Sequence, residues 1–339
     1  MVENSIADVN LTFPADGYTF DTQTEIQKEF IAKICTCGTD CAIRWLLPYK
    51  ENTELTYPRA LRFEWQANGS AQYYFELSKD PDFSDSLSIF TAENHFEADN
   101  LEIGQKYFWR VNKGNARRFY TKNNGFRFIR LDGALNVRDI GGNKIKQGLI
   151  YRGSDIYTNY RLTPDGINTL VNVLKVKTEL ELRAEYRPDE WLDIGDSIRL
   201  VHLPYRPYKE IFEDQHRKGI CEIMNFLSCE ENYPIYVHCL GGADRTGMIA
   251  FYLRALAGED DEFILADYEL TSLSSYAYGL TEGVGRTGVR NRNSEYFREF
   301  LRGINEYAPE KTFKEKITNF LLDCGVSRET LDKIVCILT

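Results

Sequence analysis

Val237-His238-Cys239-Leu240-Gly241-Gly242-Ala243-Asp244-Arg245-Thr246-Gly247 joins a short apolar strand to a glycine-rich turn and then to an apolar helix. Ile235–Cys239 reads as the strand, and Thr246–Ala257, stopped by Gly258, as the helix. Five residues stand between Cys239 and Arg245. In that context the turn is an anion cradle. The strand aims the cysteine at the rim of a sheet, the glycines let backbone N–H groups turn inward, and the helix N-terminus adds roughly half a positive charge. A free thiol has a pKa of about 8.5. Amide dipoles, the helix end and Arg245 lower it to about 3.5–7.5. The thiolate is then a nucleophile toward phosphorus. Arg245 offers a planar fork to two phosphoryl oxygens, a geometry lysine lacks. The Thr246 hydroxyl is suited to hydrogen-bond the sulfur, and His238 orients the loop from behind rather than serving as a base. Leu240, Gly241, Gly242, Ala243, Asp244, Arg245 and Thr246 are the expected phosphate-binding residues. Phosphoryl transfer asks mainly for positioning and charge stabilisation, so neither metal nor cofactor is expected. Cys, Gly, Arg, Thr and Gly at these offsets arise by chance in on the order of 10⁻⁴ of chains this long.

Around this loop, from near Leu131, short apolar strands alternate with helices. Thr178–Arg183 and Ile198–Leu203 read as strands. Thr163-Pro164 is a cap followed by proline at the first helical position, opening a helix to about Leu174. Helices are expected at Asp260–Thr271, Ser294–Tyr307, Pro309–Cys324 and Ser327–Leu338. This alternation indicates an α/β domain with a central, mostly parallel sheet flanked by helices.

Residues 1–130 read mainly as β. Leu61–Trp65, Tyr73–Leu77, Leu87–Phe90 and Tyr107–Val111 are strand-like, with Phe126–Ile129 closing the set. Asn68-Gly69-Ser70 and Lys79-Asp80-Pro81-Asp82 supply turns. A helix over Thr22–Ile34, with Ile26, Phe30, Ile31 and Ile34 at helical spacing, interrupts them. The spacing suits a β-sandwich. The run Phe63-Glu64-Trp65, Tyr74-Phe75-Glu76-Leu77-Ser78, Leu101, Gly104 and Tyr107-Phe108-Trp109-Arg110-Val111 resembles fibronectin type III modules, a resemblance that leaves function open.

His238-Cys239-x-x-Gly242-x-Asp244-Arg245-Thr246-Gly247 resembles the bacterial tyrosine/serine phosphatase family of the cysteine-dependent protein tyrosine phosphatase superfamily. Asn136-Val137-Arg138-Asp139-Ile140-Gly141-Gly142 is similar to that family's Asn-x-Arg-Asp-x-Gly-Gly segment. Tyr151-Arg152-Gly153-Ser154, Leu162-Thr163 and Asp267-Tyr268-Glu269-Leu270-Thr271 follow its order and spacing. The resemblance implies a tyrosine phosphatase fold over 131–339 and hydrolysis of phosphomonoesters through a phospho-cysteine on Cys239. It points to Asp244 as the general acid. Asp214, 25 residues before Cys239, stands near where other superfamily members carry a mobile acid loop, and Asp155 is a third candidate. Arg138 and Asp139 either contact the loop or buttress it, and Arg152 divides the same way. Glu181-Leu182-Arg183 replaces the family's Asp-Leu-Arg. Ala243 stands where some members carry a lysine associated with phosphoinositide activity. That departure favours protein phosphotyrosine, with dual specificity open, or small phosphomonoesters. An inositol-phosphate or phosphoinositide phosphatase is the alternative, using a wide basic pocket lined by Arg286, Arg290 and Arg292. These arginines lie in the glycine-rich segment 279–293, read as either a surface loop or a basic lid.

The bulk numbers fit a soluble enzyme. Hydrophobic residues make up 43% and charged residues 27% of 339. Lys and Arg number 41 against 51 Asp and Glu, a net charge of −10, which argues against wholesale nucleic-acid binding. No apolar run is long enough to span a membrane. The start shows no leader peptide, so the expected location is cytoplasmic, although a trimmed secreted chain would look the same. Eight cysteines are too thinly spread for a disulfide framework. Cys35, Cys37 and Cys41 cluster without a nearby histidine. They read as three local cysteines in or beside a loop, with a disulfide or metal site as the lesser alternative.

Overall fold

The computed structural model describes residues 9–49, 52–67, 72–158, 160–184, 197–274 and 294–339. The chain forms two compact units, one of residues 1–24 with 58–127 and the other of 25–57 with 128–339.

Alternation of apolar and polar residues builds the first unit. Leu61, Phe63 and Trp65 are buried on one face of strand β3 while Arg62 and Glu64 point out, the period-two pattern of a half-buried strand. The strands are β1 (Val9–Phe13), β2 (Tyr18–Phe20), β3 (Leu61–Ala67), β4 (Tyr73–Ser78), β5 (Ser86–Thr91), β6 (His95–Ala98), β7 (Lys106–Val111) and β8 (Arg117–Thr121). They form two sheets, ordered β1-β3-β6 and β2-β8-β7-β4-β5. Phe63, Phe75, Trp109 and Phe119 interlock between them as edge-to-face and tilted rings, and Trp65 stacks on Phe75, an arrangement that adds to the burial of each ring. The short strands β1, β2, β6 and β8 were not among the expected ones. The Asn68-Gly69-Ser70 turn lies outside the described residues.

The second unit opens with helices α1 (Glu25–Cys37) and α2 (Thr39–Leu46). Cys37 and Cys41 are joined by a disulfide. The disulfide, expected only as the lesser alternative, is what forms at this pair, and the three cysteines lie on the two helices rather than beside a loop. Cys35 remains a free thiol. The sheet contains β9 (Arg127–Phe128), β10 (Arg138–Asp139), β11 (Ile150–Gly153), β12 (Thr178–Glu181), β13 (Arg199–His202) and β14 (Ile235–His238), ordered β13-β12-β14-β11-β10-β9. The segment expected to close the sandwich at Phe126–Ile129 is therefore the edge strand of this other sheet. Strands β11 to β14 pair in parallel and β10 runs antiparallel to β11. Strand β14 is buried throughout and lies between β11 and β12, as a parallel sheet covered on both faces requires.

Helices α3 (Pro164–Asn168), α4 (Asp214–Leu227), α5 (Arg245–Leu256), α6 (Asp261–Glu269), α7 (Glu295–Asn305), α8 (Phe313–Asp323) and α9 (Arg328–Leu338) complete the unit. Thr163 caps α3 by accepting the Gly166 N–H, with Pro164 at the first helical position. A wider π turn over Thr169–Val173 continues α3. Thr312 and Glu315 form a reciprocal capping box on α8. Helix α5 is buried on every side from Thr246 to Leu256, which marks it as the central helix behind β14. No described helix is long and apolar enough to cross a membrane.

Candidate active site

The turn between β14 and α5 is shaped from outside. Four successive carbonyls are each held by a different neighbour. His238 Nδ1 lies 3.3 Å from the Cys239 oxygen. The Asp155 N–H donates to the Leu240 carbonyl at 3.1 Å, the Asn136 side-chain amide to Gly241 at 3.1 Å, and the Arg152 guanidinium to Gly242 at 2.7 Å. A trans peptide sets C=O and N–H on opposite sides. With these carbonyls drawn outward, the N–H groups of Leu240, Gly241, Gly242 and Ala243 turn toward the interior of the loop. Gly242 has φ +63°, and a Cβ there would collide with the Gly153 carbonyl, so only glycine fits.

Cys239 is 4% exposed and a free thiol. Burial works against its ionisation, but the hydroxyl and N–H of Thr246, then Arg245 and His238, outweigh it and lower its pKa. The Thr246 hydroxyl is buried and has no other hydrogen-bond partner among the described residues, and it is the first influence that draws the thiol pKa down. Arg245 is half-buried at the start of α5. Among the described residues its guanidinium forms no ion pair, whereas the buried arginines nearby are all paired.

Behind the loop lies a charged scaffold. His238 Nε2 meets Glu179 at 2.7 Å and its Nδ1 lies 3.9 Å from Glu181. Burial disfavours the imidazolium, but Glu181 and the hydrogen bond to Glu179 hold its pKa up at about 9. His238 is thus a cation that keeps both nitrogens as donors, consistent with orienting rather than accepting a proton. Its stabilisation is fully present below the unfolded value near 6.5 and is lost as pH rises through about 9. Urea unfolding of the intact chain is expected to weaken by roughly 3 kcal/mol more across that window than in His238→Asn. Equal slopes in the two proteins would refute the buried imidazolium.

Asp267 of α6 accepts from Arg138 at 3.0 Å and Arg152 at 2.8 Å, and lies 3.4 Å from Arg254. Burial opposes its charge, but the three guanidiniums hold the carboxyl well below the usual carboxylate range. Arg138 in turn donates to Asn136 Oδ1 at 2.6 Å. One carboxylate therefore fixes both side chains that hold the Gly241 and Gly242 carbonyls. Arg152 touches the loop directly, Arg138 buttresses it through Asn136, and Asp139 braces its own turn by accepting the Gly141 and Gly148 N–H groups at 2.7 and 2.6 Å.

The three acid candidates separate. Asp214 is the first residue of α4 rather than part of a loop. Its side chain is 94% exposed and pairs with Arg217 at 2.9 Å. Asp155 is buried and taken up by the Tyr157 and Thr158 N–H groups at 2.9 and 3.0 Å and by Arg183 at 3.3 Å. Asp244 is half-buried at the N-cap of α5, inside the loop itself, and accepts from the Tyr208 hydroxyl. Glu181, the departure from the family's aspartate, is a buried anchor for Arg183 and Tyr157. The segment 279–293, with Arg286, Arg290 and Arg292, lies outside the described residues.

Reading the residues alone did not single out Asn136, Glu179, Tyr208 or Asp267 for the site. Asp267 carried a signal, since it is an acid set in the apolar run Ile264-Leu265-Ala266.

A buried strand that delivers a sulfur of lowered pKa to a turn at a helix start is an arrangement suited to a phosphoryl-transfer nucleophile. The chain belongs to the tyrosine phosphatase family, whose model matches residues 129–338. Among solved structures it is similar to the core catalytic domain of the PP-IP phosphatase SIW14 from S. cerevisiae, with 19% identity, 48% of this chain and 91% of that one covered, and a TM-score of 0.32. It is also similar to P. aeruginosa TpbA, with 16% identity, 56% and 91% covered, and a TM-score of 0.33. No curated protein gives a significant match.

Proposed function

We propose that the chain hydrolyses protein phosphotyrosine through a phospho-cysteine on Cys239. The observation that carries this reading is the outward anchoring of four consecutive loop carbonyls around a sulfur with a lowered pKa. In the first step the Cys239 thiolate attacks phosphorus and the phosphorus–oxygen ester bond breaks. Asp244 gives its proton to the leaving oxygen. In the second, water attacks the phospho-cysteine, the Asp244 carboxylate takes a proton from it, and the thiolate leaves with inorganic phosphate as product. Arg245 and the N–H groups of Leu240 to Thr246 hold the equatorial oxygens, and the Thr246 hydroxyl stabilises the departing sulfur. His238, Arg138, Asp139 and Arg152 support the loop.

The near-complete burial of Cys239 favours a phosphate carried on a long arm. Phosphotyrosine holds its phosphorus farther from the peptide than phosphoserine does. The N-terminal unit reads as a fibronectin type III module, supported by its three-stranded and five-stranded sheets and shared aromatic core. The catalytic domain then comprises 128–339 with the helical pair at 25–57.

A turnover panel tests the substrate class. Phosphotyrosine peptide is expected to exceed phosphoserine peptide, phosphoinositide and inositol hexakisphosphate in kcat/KM, with inhibition by vanadate. Preference for an inositol phosphate would replace the protein substrate while leaving the chemistry intact.

A further inference from the structure

Tyr208 lies 36 residues before Asp244 in sequence, in the 3-10 turn Tyr208–Phe212. Its backbone has φ +62°, the left-handed region that an aromatic residue rarely adopts. Such a conformation persists only where the surroundings fix it, and it often marks a working site. Here the surroundings are specific. The Tyr208 ring stacks on Tyr296 of α7, with centroids 5.9 Å apart and planes at 28°. Its hydroxyl donates to Asp244 Oδ1 and lies 2.6 Å from the Tyr268 hydroxyl. Because the Tyr208 proton goes to the carboxylate, the Tyr268 proton goes to the Tyr208 oxygen. Tyr268 is itself fixed on α6, buried and stacked on Phe297 at 4.1 Å. Asp244 stands at the N-cap of α5, yet its side chain makes no cap hydrogen bond to that helix, although aspartate there normally does.

We infer that Tyr208 is a positioning residue for proton transfer: its hydroxyl, backed by Tyr268, fixes one oxygen of the Asp244 carboxyl so that the other is turned to the leaving group. The χ2 torsion of aspartate is broad and roughly two-fold, so an unheld carboxyl spreads its proton over many directions. A donor anchored on one oxygen removes that freedom. Proton transfer then occurs from a single orientation, as general acid catalysis requires. This rests on the reading of Asp244 as the acid.

The test compares kcat/KM for phenyl phosphate, whose poor leaving group needs the proton, with p-nitrophenyl phosphate, whose good leaving group does not. Tyr208→Phe keeps the ring and its stacking. It is expected to lose about tenfold on phenyl phosphate and under about twofold on p-nitrophenyl phosphate, a fraction of the 10²–10⁴-fold that a general acid supplies. Tyr268→Phe, which leaves the strained backbone at Tyr208 alone, should repeat the pattern at smaller size. Asp244→Asn should lose about 10²-fold or more on phenyl phosphate and far less on p-nitrophenyl phosphate, and adding Tyr208→Phe to it should cost nothing further on phenyl phosphate. Equal losses on both substrates, or none on either, in Tyr208→Phe and Tyr268→Phe would overturn the positioning role while a selective Asp244→Asn upholds the acid. An Asp244→Asn protein that treats both substrates alike removes the acid assignment, and this inference with it.

Discussion

Replacing Cys239 by serine is expected to lower turnover of a phosphotyrosine peptide by about 10⁵–10⁶-fold, the scale seen when an enzyme loses its nucleophile, while binding of the phosphopeptide changes little. The two halves of that expectation come from different atoms. Binding belongs to the N–H groups of Leu240 to Ala243 and to Arg245. These groups are aimed by Asp155, Asn136, Arg152 and His238, none of which depends on the sulfur. Turnover belongs to an anion at position 239. The same Thr246, Arg245 and His238 that lower the thiol pKa cannot bring an aliphatic hydroxyl into the range where it ionises at neutral pH. The wild-type protein should also react with iodoacetate at pH values where an ordinary thiol is protonated, and Cys239→Ser should not. Measured kcat near the wild-type value in Cys239→Ser would remove the phospho-cysteine from the mechanism.

The strand, turn and helix that carry Cys239 and Arg245, and the parallel sheet behind them, were legible because they are local. Strand, loop and helix occupy one run of residues, and hydrophobic period and glycine placement report directly on it. The partners of the supporting residues Arg138, Arg152 and His238 were not legible, for a physical reason. Arg152 and Asp267 meet across 115 residues, and Asn136 reaches Gly241 across 105. No spacing rule links positions that only the folded sheet brings together. Helix α4 shows a different kind of miss. Ile220, Ile223, Met224 and Leu227 are buried at helical spacing. They follow Asp214, which stood near where other superfamily members carry a mobile acid loop and is instead the first residue of the helix. Helix α2, with Ala42, Ile43 and Leu46 buried, is two turns long, too short to stand out beside its cysteines. The Phe126–Ile129 strand was recognised as a strand and assigned to the wrong sheet, because an apolar run fixes conformation but not its hydrogen-bonding partner.

Removing the charge of Asp267 is expected to unfold the second unit more readily than any other single change in the scaffold. Asp267→Asn keeps the shape and one acceptor. It leaves the buried guanidiniums of Arg138, Arg152 and Arg254 without their shared anion, although Arg254 retains Glu259 at 2.6 Å. Breaking a buried ion pair from one side costs about 3–5 kcal/mol, because the remaining charge has neither partner nor water. Burial and the neighbouring arginine already lower the Arg152 pKa to about 9 even with Asp267 present, so its hold on the cation is thin. Urea unfolding followed by helical circular dichroism reports on this unit, since every described helix lies within it. The wild-type advantage should be largest at neutral pH. Asp267 has a depressed folded pKa, so its stabilisation is present above the unfolded carboxylate value of about 3.9 and fades as pH falls below it. The gap between the two proteins should therefore narrow in acid. A gap that is absent at neutral pH, or unchanged as acid is added, would show that the three arginines do not depend on this carboxylate. Activity should fall in the same variant through the loop. With Arg138 and Arg152 released, the Gly241 and Gly242 carbonyls lose their outward anchors, the amides behind them lose their aim, and KM for phosphorylated substrate should rise together with a drop in kcat.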